Sequence, residues 1–189
     1  MGSSLCYNEA IEFSHRIMLL GFKTELKLNN HQRTILAKHA GTARHAWNIG
    51  HKAILEILEH NKNHPESKLK FPTAIDLHKW LVAAIKPDYP WYYEVSKCAP
   101  QYALRYLVDA WKRCFEKIAS RPRFKRKGKQ DSFTLDGTIK VTDHYQIQIP
   151  KIGKVKTYER LPYGYTPKSV TISRRADRWF ISFKLEQPK

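Results

Sequence analysis

The chain has 189 residues, 34 of them Lys or Arg and 17 Asp or Glu, so it carries a formal charge of +17 with histidine neutral. This length allows one ordinary domain or two small ones sharing a core, and 42% hydrophobic residues suffice to build that core despite the charge. The longest strictly apolar run, Trp80 to Ile85, is far too short for a membrane-spanning helix. Met1 to Arg16 lacks the apolar stretch of a secretory signal. Cys6, Cys98 and Cys114 show no C-x-x-C spacing and leave an odd thiol, which fits the reducing cytoplasm better than a disulfide scaffold.

In chain order, the first element is a strand. Residues 20–28 alternate apolar and polar, with Leu20, Phe22, Leu26 and Leu28 on one face. Asn29 and Asn30 are then good N-caps for a long helix running to about His60, with Leu36, Ala40, Ala43, Trp47, Ile54 and Leu58 along its apolar stripe. Gly41 interrupts this run. It marks either the turn of a helix-turn-helix or a close approach to one continuous helix, and the continuous helix is preferred because no Pro, Asn or Ser accompanies the glycine.

After a polar loop, Asn61 to Ser67, the pattern predicts a short helix between Pro72 and Pro87, followed by an aromatic turn over Asp88–Trp91. The clearest helix spans Ser96 to Ser120, with Leu104, Leu107, Trp111, Cys114 and Ile118 on its apolar face. The period then changes. Residues 145–149 alternate strictly, Pro150–Gly153 reads as a turn, and Lys154–Lys156 begins the return strand. Residues 169–173 and 178–185 form a second hairpin around Arg174–Asp177.

One strand, a block of helices, then four or more strands make an α+β chain. The expected architecture is a small β-barrel completed by the early strand, over residues 19–29 and 121–189. The helical block, residues 30–120, is inserted after that first strand, and residues 1–18 form a variable extension.

The charge predicts a polyanionic partner, and for a chain of this kind nucleic acid is the usual one. Residues 121–189 hold 17 basic and 6 acidic side chains, against 17 and 11 in residues 1–120. The densest run is Arg121, Arg123, Lys125, Arg126, Lys127 and Lys129, whose flanking Pro122 and Gly128 point to a loop that could follow a phosphate backbone. A solvated linker is the bland alternative for the same run.

Catalytic constellations are not evident. The aspartates are scattered, no H-E-x-x-H, P-loop or G-x-S-x-G occurs, and no cysteine pair suggests zinc. Only His60 and His64 have a metal-ligand spacing, and Pro65 beside them argues against a shared helix face. No catalytic residue, metal site or cofactor is expected in this chain.

Several segments, read in order, are more specific. They are 28–32 (LNNHQ), 41–48 (GTARHAWN), 94–104 (EVSKCAPQYAL), 122–127 (PRFKRK), 132–134 (SFT), 149–156 (IPKIGKVK) and 178–183 (RWFISF). Together they resemble the N-terminal half of the OrfB/TnpB family of insertion-sequence transposases, which are RNA-guided DNA endonucleases related to type V CRISPR effectors. The resemblance covers about residues 20–186.

It implies a wedge β-barrel interrupted by a helical recognition domain, which grips a guide RNA and reads a short target-adjacent DNA motif. By motif position it assigns motif contacts to Lys97 and Gln101, and also to Thr134. The loop cations Arg121, Arg123, Lys125, Arg126, Lys127 and Lys129, with Arg174 and Arg175, are the phosphate candidates. Arg44 and Asn48 stand out only through the resemblance, and serve equally as structural polar groups or ligand contacts.

In the family, cutting belongs to a RuvC-like C-terminal half with Mg²⁺ and zinc. The chain reaches Gln187-Pro188-Lys189 before the expected G-x-D-x-G segment. No nuclease activity is therefore expected of it alone, and the missing half is a candidate partner. Two other readings stay open: a stand-alone helix-turn-helix DNA-binding protein over Asn30 to His60, and a non-functional truncated remnant.

Overall fold

The alternating segment forms β1 (Met18–Lys27) in the computed structural model, which describes residues 18–187 apart from 130, 163 and 165. The expected extension, residues 1–18, lies outside the described residues save for Met18. In β1, Thr24 and Leu26 are buried while Lys23 and Lys27 face solvent. Asn29 then caps α1 (Asn30–Asn63): its side chain accepts the Gln32 N–H at 2.8 Å, and the Gln32 side chain accepts the Asn29 N–H at 3.1 Å.

Helix α1 runs unbroken for 34 residues, about 50 Å, so Gly41 is no turn. Leu36, Ala40, Ala43, Trp47 and Ile54 form its buried stripe, as the pattern predicts. Helix α2 (Ala74–Trp80) is capped by Thr73 and continues as a wide turn over Leu81–Ile85, then as 3-10 turns over Lys86–Asp88 and Pro90–Glu94.

Helix α3 (Cys98–Phe115) packs against α1. Pro100 sits in its first turn, where a missing N–H breaks no helical hydrogen bond. The helix ends earlier than the expected Ser120. Lys117 adopts φ 59°, and the N–H groups of Ile118 and Ala119 close back onto the Arg113 carbonyl. Ile118 consequently leaves the apolar stripe and is 64% exposed. No glycine announces this stop, so the sequence pattern overran it.

The remaining strands are β2 (Ser132–Asp136), β3 (Lys140–Asp143), β4 (Gln146–Ile149), β5 (Gly153–Thr157), β6 (Ser169–Arg175) and β7 (Arg178–Gln187). With β1 they make a seven-stranded antiparallel sheet in the order β2-β6-β7-β1-β5-β4-β3. The opening strand does join the closing hairpin: residues 18–25 pair with β7, and Leu26 and Lys27 pair with β5.

The expected barrel is not closed, because β2 and β3, adjacent in the chain, are the two edges of the sheet. Helices cover β2 instead. Asp136 accepts hydrogen bonds from Cys98 Sγ (2.8 Å) and Tyr102 Oη (3.0 Å), and Phe133 stacks on His39 at 5.1 Å between ring centres. With Phe133, Thr134 and Leu135 all buried, β2 lacks the alternation of a half-buried strand. One hydrophobic core spans both layers, from Leu36, Leu104 and Trp111 to Ile147, Val155 and Ile181.

Candidate nucleic-acid interface

The basic run over residues 121–129 is not a loose linker. It lies along α1 as a fastened strand. Trp47 Nε1 donates to the Arg123 carbonyl at 3.0 Å. Asn48 makes two bonds to Lys125, donating to its carbonyl at 3.0 Å and accepting its N–H at 2.8 Å. At the far end Asp131, 7% exposed, accepts from Arg44 at 2.6 Å and from the Gly128 N–H at 3.1 Å. Phe124 packs edge-on to His51, which also accepts from Trp111 Nε1 at 3.3 Å. Burial and the nearby Arg121 guanidinium push the His51 pKa down. Arg44 and Asn48 thus have structural work in this chain: they hold the cationic strand in place.

Fastening the backbone sorts the cations. Lys125 turns inward, its ammonium 4.1 Å from the Trp47 ring centre, and burial lowers its pKa. That geometry takes Lys125 out of the phosphate set. Arg121, Arg123, Arg126, Lys127 and Lys129 remain exposed. Arg121 leans over Trp111 at 5.6 Å.

The β6–β7 hairpin turns at Ala176, with φ 51°. Arg174 donates to the Ala176 carbonyl at 2.8 Å and to the Asp177 carboxylate at 2.9 Å, so its guanidinium braces the turn. Arg33 of α1 donates to the Asp177 carbonyl at 3.1 Å, bringing this turn beside the start of α1. Of Arg174 and Arg175, the latter is the exposed one.

Lys97 is the N-cap of α3 and Gln101 lies one turn on, its N–H 3.4 Å from the Lys97 carbonyl. Both are exposed, on adjoining hollows. Lys97 borders one of about 750 Å³ with Lys86 and Lys151. Gln101 borders one of about 670 Å³ between α2 and α3, with Arg105 and Lys112. Burial, with Lys86 and Lys97 nearby, lowers the pKa of His78, a sign of positive potential in this region.

Thr134 does not join them. It is 3% exposed, and its hydroxyl lies 3.2 Å from Tyr106 Oη and 2.9 Å from Thr171 Oγ1. Because α3 covers β2, Thr134 has no surface to offer a base.

A further cationic face was not singled out by the sequence. Cross-strand registers align Lys140 with Gln148 and Lys154, and Gln146 with Lys156 and Lys27. All four lysines are exposed, opposite the buried row Val141, Ile147 and Val155. The alternation in β4 and β5 was legible, but the register joining these residues was not.

His60 and His64 come closer than Pro65 suggested, with ring centres 4.7 Å apart, because α1 extends to Asn63. Among the described residues, however, no group of three His, Cys, Asp or Glu side chains could hold a metal. No helix among the described residues is long and apolar enough to cross a membrane.

Comparison with known proteins adds two findings. Residues 18–62 match the family described as "Helix-turn-helix domain" of the OrfB type of IS605 elements. In this structure that segment is β1 followed by the single helix α1, so the family's description does not correspond to two helices here. The chain is also 27% identical, over 170 residues, to an Escherichia coli (strain K12) protein named "Putative RNA-guided DNA endonuclease InsQ". The alignment takes in 89% of this chain and 40% of that protein, so the chain spans less than half of its relative's length. The matched strand and long helix, with a relative aligned along most of the chain, make it similar to the N-terminal part of the OrfB/TnpB type of insertion-sequence proteins.

Proposed function

We propose that this chain is the cytoplasmic nucleic-acid-binding portion of a TnpB-like RNA-guided DNA endonuclease, gripping guide RNA and reading a target-adjacent DNA motif. The seven-stranded sheet is the counterpart of the family's wedge domain, and residues 30–120 are the recognition helices. Cleavage belongs to residues outside this chain, in a nuclease half that carries the metals and acts as its partner.

The observation that carries this reading is the cationic strand fastened to α1. An ordered row of exposed Arg123, Arg126 and Lys127 gives phosphates fixed partners, at less entropic cost than a floppy linker. Lys97 and Gln101 are the base-reading pair: Lys donates to guanine acceptors, and Gln can bond an adenine edge. Arg175 and the lysines of β3 to β5 extend the phosphate path.

The test compares two variants by titration at several salt concentrations. Lys97→Ala with Gln101→Ala should abolish preference among DNA motifs and leave RNA affinity nearly intact. Neutralising Arg123, Arg126 and Lys127 should weaken binding to every sequence and reduce the salt slope by about 0.9 per lost duplex phosphate contact. Identical behaviour of the two variants refutes this division of roles.

The matched family's description as a helix-turn-helix domain favours a second reading, a plain helix-turn-helix protein that needs no RNA. Duplex DNA bound tightly by the chain alone, with structured transposon-end RNA adding nothing, would establish it. The unbroken α1 weighs against it.

A further inference from the structure

The two glycines inside α1 face different things. A Cβ on Gly50 would stand 2.7 Å from Leu104 Cδ2 and 3.1 Å from Leu107 Cδ2, so close packing by α3 accounts for it. A Cβ on Gly41 would meet only Arg44 Nη2, at 3.8 Å. Glycine destabilises a helix interior relative to alanine, and no contact within the described chain compensates at position 41.

Gly41 floors an open hollow of about 510 Å³ between α1 and the turn Pro90–Glu94. His45 and Trp91 wall it. The two rings meet edge to face at 5.0 Å, and Trp91 is stacked on Tyr92 at 4.6 Å. His45 is further held by Tyr92, whose Oη lies 2.9 Å from His45 Nδ1. The wall is therefore rigid, aromatic and only half-buried at Trp91.

Charge surrounds the opening. Glu94 on the rim is neutralised by Lys38, and Arg44 on the other side is paired with Asp131. Asn48, which also lines the hollow, is the residue that bonds Lys125, so the cationic strand passes directly beside it. A flat aromatic wall next to a row of cations suits a ligand that is planar at one end and anionic at the other.

We propose that this hollow receives one unpaired base of the bound nucleic acid, laid over Gly41 against Trp91 and His45, while the adjoining phosphates lie on Arg126 and Lys127. This rests on the nucleic-acid reading above and adds a base-stacking site to it. Stacking on aromatic side chains tolerates any base, because each has a π-face, so the site favours unpaired strands without selecting sequence.

Two variants test it. Gly41→Leu puts a side chain into the hollow from a Cβ that itself meets only Arg44, and it improves helix propensity, while Trp91→Leu removes the aromatic wall. The probes are a single-stranded RNA carrying 2-aminopurine and a fully paired DNA duplex of equal length.

The expected result is about a tenfold or greater loss of single-strand affinity in both variants. The probe's fluorescence quenching should also be lost, with salt slope and duplex affinity unchanged. Single-strand binding equal to that of the unaltered chain overturns the base site, and points to a protein segment as occupant if that segment alone is displaced by Gly41→Leu. Equal losses for duplex and single strand also overturn it. If the unaltered chain binds neither probe, the nucleic-acid reading itself fails.

Discussion

His39 stands where three elements meet. Its Nδ1 is 2.8 Å from the Ile35 carbonyl, its Nε2 accepts the Ser96 N–H at 3.0 Å, and its ring stacks on Phe133. Only a neutral ring with its proton on Nδ1 satisfies both bonds. Burial holds its pKa below the ordinary value, against a smaller opposing effect of the Ile35 carbonyl. Between the lowered folded pKa and the unfolded value near about 6.5, the unfolded chain binds more protons. Stability is thus complete above about 6.5 and declines as pH falls through that window. Urea midpoints should be lower at pH 5 than at pH 7. His39→Gln should shrink that difference without abolishing it, since His45, His51 and His78 shift the same way. A pH-independent midpoint would contradict the neutral-ring assignment.

Asn48 offers a second prediction at this scale. Asn48→Ala strips two partners from the half-buried Lys125 backbone, which should cost about 1–3 kcal/mol. Trypsin should then cleave within residues 121–129 faster than in the unaltered chain. Unchanged cleavage would mean that Trp47 and Asp131 hold the strand without it.

At the scale of elements, α1 provides an internal control. Gly41 and Gly50 lie in the same helix, so Ala at either position gains similar helix propensity. Gly41→Ala should stabilise by about 0.5–1 kcal/mol. Gly50→Ala drives a methyl into Leu104 and Leu107 and should destabilise by about 1–3 kcal/mol net of that gain. Chemical denaturation separates the two signs, and stabilisation by both would mean that α3 yields easily.

The local signals of α1 were readable: Asn29 as an N-cap, and a stripe at helical spacing. So was the alternation of β1, β4 and β5. Strand β3 was not read, and two other features escaped for physical reasons. The stop of α3 uses Lys117 in a left-handed conformation where glycine is the usual sign, and β2 is buried too evenly to show a period of two.

At the scale of the molecule, β1 joins the two halves of the sheet, and one core runs through sheet and helices. The helical signal in circular dichroism and the fluorescence of Trp47, Trp111 and Trp179 should therefore melt together in one transition. Separate transitions would show that the helical block folds independently of the sheet.

Helix periodicity and caps are encoded within a few residues of one another, and with the composition they determined the α+β class and the long helix from the sequence alone; the net charge gave the expectation of a polyanionic partner. The fastening of the basic strand was different in kind. Asn48 and Lys125 are 77 positions apart, and no local pattern says that they meet. Only the tertiary structure decided which cations face solvent, that Lys125 and Thr134 do not, and that the sheet stays open. Each of these depends on which distant surface covers a residue.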